Sequence, residues 1–155
     1  LNTIETTGCD GVYTDLALVD KHNINTVVRY WKSCNYNPKF LSRGWMPPHP
    51  TLYLKKAVYE HYGTFDISYK IAADYDFVLR LFKDDQLVLN YLPLVLTKMR
   101  IGGASSKNIK SIILKSKEDF KILKNNNFKL PIYTLVYKNL RKLKQLKIIS
   151  VLFKI

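Results

Sequence analysis

Apolar and polar residues alternate closely over Gly11–Asp20 (GVYTDLALVD), where β-branched and aromatic side chains recur, and this pattern predicts a strand. A polar stretch, Lys21 to Asn25, separates it from a second strand-like run, Thr26–Trp31, so the two predict a hairpin. Residues 32–50 hold Pro38, Gly44, Pro47, Pro48 and Pro50 and predict a loop. A short strand over Thr51–Leu54 then leads into a helix over Lys55–Tyr62, stopped by Gly63 where a C-cap is needed. After a loop from Thr64 to Ala73, a second helix spans Asp74–Lys83, with Phe77, Val78, Leu81 and Phe82 on one face. Residues 87–91 and 94–100 predict two strands kinked at Pro93. Strands alternating with short helices predict an α/β or α+β fold, and no internal repeat is visible.

Past the turn-like Gly102-Gly103-Ala104-Ser105-Ser106 the texture changes. Residues 107–125 and 133–153 show helical apolar spacing (Ile109, Ile112, Ile113; Leu140, Leu143, Leu146, Ile149), with Pro131 between them and lysine at most intervening positions. The charge follows this division. Residues 107–155 carry 13 Lys/Arg against only Glu118 and Asp119, whereas residues 1–106 carry 12 Lys/Arg and 10 Asp/Glu. Nearly all of the formal charge of +13 therefore lies in the last third, so the expected organisation is a near-neutral body over 1–106 and a basic helical tail over 107–155.

Composition narrows the class. With 47% hydrophobic and 24% charged residues among 155, the chain has the make-up of one ordinary folded domain. The longest apolar stretches, near 87–96 and 148–153, are broken by Asn90, Pro93 and Ser150, short of the roughly 18 residues a membrane-spanning helix needs. The first ten residues have neither the basic nor the apolar region of a secretory signal, and the start lacks Met, as expected of a piece of a longer chain. Cys9 and Cys34 suit a reducing, cytoplasmic setting better than a disulfide framework.

Three clusters carry candidate chemistry: residues 44–54 (GWMPPHPTLYL), 63–82 (GTFDISYKIAADYDFVLRLF) and 99–105 (MRIGGAS). In this order and spacing they resemble the acceptor-side half of a family 2, GT-A-type nucleotide-sugar glycosyltransferase of the kind that builds bacterial surface polysaccharides. The resemblance covers residues 10–106, most strongly the run from Gly63 through Asp66 to Ile71-Ala72-Ala73-Asp74-Tyr75-Asp76 and Leu79-Arg80. It implies the C-terminal half of a mixed GT-A sheet with short helices, a nucleotide-sugar donor, and a saccharide or lipid-linked acceptor. It also implies a divalent cation (Mg or Mn) held by an Asp-x-Asp-like motif in a preceding half, so no metal ligands are expected here and the donor site is incomplete.

The resemblance implies Asp74 as the base that takes the proton of the acceptor hydroxyl in an inverting transfer. From the residues alone, Asp74 opens a helix and reads first as its N-cap; the resemblance is what favours the base. Asp76 either complements the helix dipole or positions the acceptor, and Arg80, four residues on, is spaced to pair with it. Asp66 ties down its loop. His49, between two prolines, stands on a rigid loop that suits a binding residue or a turn cap, and Trp45 either stacks on a sugar or fills the core. Arg100 with Gly102 and Gly103 offers charge and close backbone approach for a diphosphate leaving group, or an ordinary turn. The basic tail suits an anionic membrane surface, placing the protein peripherally on the inner face of the cell membrane, or else is a solvated helix face packed on the body. With few aromatics and Arg141 its one arginine, it is poorly equipped for nucleic acid. The rival to an enzyme is a non-catalytic basic binding module.

Overall fold

Strand β1 (Gly11–Val19) is buried along its whole length, and the other elements are arranged around it. The computed structural model describes residues 2–102 and 108–152. On one edge β1 pairs antiparallel with β2 (Val27–Trp31) through Leu16–Val19, completing the expected hairpin, and with the two-residue β3 (Tyr53–Leu54) through Gly11–Val12. On the other edge it pairs in parallel with β4 (Leu89–Arg100), giving a four-stranded mixed sheet. The molecule is thus mixed α/β, with helices α1 (Asn2–Thr7), α2 (Lys56–Tyr62), α3 (Ala73–Phe82), α4 (Ile109–Asn125) and α5 (Pro131–Leu152).

The two strands expected either side of Pro93 are one. Thr14 faces Leu92 and Asp15 faces Val95, so Pro93 and Leu94 bulge out of the ladder, where proline's missing N–H is not required. Helix α1 was not expected, because its threonine-rich sequence has no apolar period; Ile4 anchors it against Cys9, Val12 and Leu92. The proline-rich loop contains two short 3-10 helices, Pro38–Arg43 and His49–Thr51, so His49 stands in a single regular turn.

Seven of the ten α3 residues are buried, and α3 forms the centre of the main core with Tyr13, Leu41, Trp45 and Val58. Its aromatic heart is edge-to-face: Phe82 meets Tyr13 at 5.5 Å and Trp45 at 5.4 Å, geometry worth about 0.5–1.5 kcal/mol per pair beyond buried area. The basic segment packs on this body. Ile122 and Leu123 of α4 are fully buried in the core, and Thr134 of α5 donates its hydroxyl to the Ser42 carbonyl at 2.9 Å. Gly44 adopts a left-handed conformation (φ +64°) as C-cap of the first 3-10 helix. A Cβ there would lie 2.6 Å from the Lys138 backbone nitrogen and the Thr134 carbonyl, so the missing side chain is what lets α5 approach.

Candidate functional site

His49 and Asp74, 25 residues apart in sequence, meet in space: His49 Nδ1 lies 2.8 Å from Asp74 Oδ2, both side chains half-buried. The separation is within hydrogen-bond range, although the Nδ1 hydrogen is not well aligned on the carboxylate oxygen. Each partner is held by its own anchor. The His49 turn is fastened to the middle of β1 by Thr51, whose buried hydroxyl sits 2.8 Å from the Thr14 carbonyl and accepts the Thr14 N–H at 3.2 Å. Asp74 lies in the first turn of α3, and the residues entering that turn are fastened by Glu118 of α4. Its carboxylate accepts the backbone N–H groups of Lys70, Ile71 and Ala72 at 2.8, 2.9 and 2.9 Å.

Asp74 is not the N-cap. The cap position is Ala72, which has no side-chain capping bond, and the N–H groups just ahead of the helix are taken by Glu118. Asp74 is thereby free to face His49. Burial works to raise its carboxyl, but the His49 contact, with Lys115 and Lys138 adding positive potential, outweighs it and holds the group below the usual carboxylate range. At neutral pH Asp74 is an ionised, half-exposed carboxylate with an imidazole against one oxygen, which suits a proton acceptor.

The other expected site residues are not gathered here. Asp76, only 8% exposed, pairs with Arg80 at 2.9 Å, the predicted i,i+4 contact. Arg80 in turn donates to the Tyr62 and Thr64 carbonyls, so this pair clamps the loop between α2 and α3. Trp45 is 4% exposed, packed against Tyr13, Tyr36, Phe40 and Phe82, too covered to stack on a sugar ring. Asp66 accepts the Ser68 N–H at 2.9 Å and ties its loop. Arg100 is exposed at the end of β4, and Gly102 (φ +98°) follows it with open space around its Cα; Gly103 lies outside the described residues.

Sequence reasoning gave no role to Glu118, Asp119 or Lys138. Asp119 Oδ2 contacts Lys115 Nζ at 2.7 Å and Lys138 Nζ at 2.9 Å, and Lys138 Nζ sits 3.0 Å from the centre of the Tyr75 ring. This buried cluster joins α4, α5 and α3 directly behind Asp74. The available signal was compositional: two adjacent acids isolated in a strongly basic segment. Among the described residues no group of three His, Cys, Asp or Glu side chains is placed to hold a metal ion. No helix among them is long and apolar enough to cross a membrane. No protein-family model, curated protein or solved structure matches the chain.

Proposed function

We propose that the chain is the acceptor-side part of an inverting, GT-A-type nucleotide-sugar glycosyltransferase, with Asp74 as its general base. The observation that carries this reading is the 2.8 Å approach of His49 to Asp74: two residues from separate motifs of the resemblance meet at a half-exposed position. In the transfer, the acceptor hydroxyl gives its proton to Asp74 while its oxygen bonds to the anomeric carbon. The bond from that carbon to the diphosphate breaks, and the electron pair leaves with the nucleoside diphosphate. His49 keeps the carboxylate oriented and ionised. The described residues offer no ligand set for the divalent cation the resemblance implies, so no step is assigned to it. Exposed Leu94, Val95, Leu96 and Met99 leave apolar area uncovered along β4, which a donor-binding lobe would bury, and this also supports the reading.

The test is release of nucleoside diphosphate from a panel of nucleotide-sugars by the chain expressed with whatever coding sequence lies immediately upstream. Asp74→Asn should lower kcat about 10²- to 10⁴-fold, the usual worth of a positioned base, with an unchanged circular dichroism spectrum. Normal turnover would remove Asp74 from the mechanism.

A second reading, peripheral binding to an anionic bilayer, is favoured by the exposed apolar side chains of α5. Ile132, Val136 and Leu140 recur at i, i+4 and i+8 beside exposed Tyr133 and Tyr137, in a segment rich in lysine. Replacing Ile132 and Val136 with serine should abolish co-sedimentation with vesicles containing phosphatidylglycerol; unchanged binding would dismiss it.

A further inference from the structure

Between β2 and α5 lies a hollow of about 50 Å³, lined in part by Arg29, Trp31, Lys32, Gly44, Lys138 and Arg141. Four of its lining side chains are cationic and none is acidic. Asp119 compensates Lys138, but among the described residues no acid pairs with Arg29, Lys32 or Arg141. The Arg29 guanidinium lies over the Trp31 ring, 5.6 Å from its centre, and its Nε is buried with no hydrogen-bond partner. A buried, unmatched N–H of a charged group is costly. Burial also pushes the Arg29 guanidinium below its ordinary value, the direction expected where its charge lacks a counter-ion.

The arrangement is built by tertiary packing. Gly44 lets α5 come close enough for Arg141 to line the same hollow as Arg29 of β2 and the neighbouring Lys32. Gathering like charges this way is unfavourable unless an anion joins them. A single water needs about 10–15 Å³, so the hollow has room for a ligand larger than one water, as a small tetrahedral oxyanion requires. A guanidinium fork matches two oxygens of such an anion, which makes arginine the residue suited to this ligand.

We propose that this hollow binds a single phosphoryl group, carried by a soluble phosphate or by a phospholipid headgroup, with Arg29 and Arg141 as its principal ligands. The proposal goes beyond glycosyl transfer and does not depend on it.

Titrating the ¹⁵N-labelled chain with inorganic phosphate, to about 10 mM so that millimolar affinity is visible, should shift the Arg29 Nε–H resonance saturably. The Arg43 resonance should stay in place. The double variant Arg29→Met with Arg141→Met should bind phosphate about tenfold more weakly, as expected for loss of charge-assisted bonds. Lys117→Met with Lys124→Met, which removes the same charge from exposed positions of α4, should change affinity less than about twofold. A second arm compares phosphatidylcholine vesicles with and without phosphatidic acid. Selective loss of vesicle binding in the arginine pair identifies a lipid headgroup, and selectivity toward inorganic phosphate alone identifies a soluble ligand. No saturable shift at Arg29 overturns the proposal, and so does equal weakening by both pairs in both arms. Should the arginine pair fail to fold, the Arg29 titration of the unaltered chain decides.

Discussion

Replacing Asp119 with alanine should be the most damaging single change in the basic helical segment. The carboxylate is 2% exposed and meets two ammonium groups, Lys115 at 2.7 Å and Lys138 at 2.9 Å. Lys138 is itself 5% exposed, against the Tyr75 ring, so it cannot recover its charge's hydration without leaving the core. Stranding one charge of a buried pair costs about 3–5 kcal/mol, a large share of the roughly 5–15 kcal/mol that holds a domain folded. With a urea m value of about 2 kcal/mol/M for a chain of this size, the unfolding midpoint should fall by about 1.5–2.5 M. Urea titration followed by tryptophan fluorescence measures this, since Trp45 lies in the same core. Adding Lys138→Met should recover part of the loss, because the stranded charge goes too. A midpoint shift below about 0.5 M for Asp119→Ala, or a double variant worse than either single one, would refute the reasoning.

Two further outcomes follow from contacts already described. Burial works to raise the Glu118 carboxyl, but its three backbone N–H partners prevail and hold it below its ordinary value. The unfolded chain therefore binds that proton more readily. The stabilisation is complete above the unfolded value of about 4.3 and is lost as pH falls through the lower folded value. Glu118→Gln should accordingly be less stable at pH 7 and should lose less on acidification, as read by urea midpoints from pH 7 downward; parallel acid limbs would count against it. Gly44→Ala should cost about 2–5 kcal/mol, combining left-handed backbone strain with overpacking against α5. Gly8→Ala, with φ +69° and nothing within 4 Å of its Cβ position, should cost only the backbone part of about 1–2 kcal/mol. Equal midpoints for the two variants would show that α5 yields at no cost.

The elements whose evidence is local were legible in the sequence. The hairpin follows from alternation either side of a polar turn, α2 from its Gly63 stop, α3 from its apolar face, and the Asp76–Arg80 pair from helical spacing. What the sequence hid is what depends on tertiary partners. Pro93 is a breaker when read locally, but buried β1 beside it carries β4 through as one bulged strand. Nothing in the spacing of 25 residues says that His49 reaches Asp74; that distance is set by Thr51 on β1 and Glu118 on α4, both far off along the chain. Asp74 looked like a cap because caps are judged by neighbours in sequence, whereas the N–H groups before α3 are met by a carboxylate more than 40 residues away. Arg29 and Arg141 were not linked to each other because β2 and α5 become neighbours only on folding.

Strand β4 pairs with β1 alone among the described residues, which leaves its other margin without a hydrogen-bonding neighbour. Pro93 interrupts the strand four residues in, while exposed Lys98 and Arg100 add charge near its far end. Such a border discourages a second copy from zipping on as an extra ribbon, the first step toward fibrous aggregation. Yet Leu94, Val95 and Leu96 between these guards remain uncovered. A neighbour can therefore settle over the sheet by burying oily surface more readily than a second copy can lengthen it.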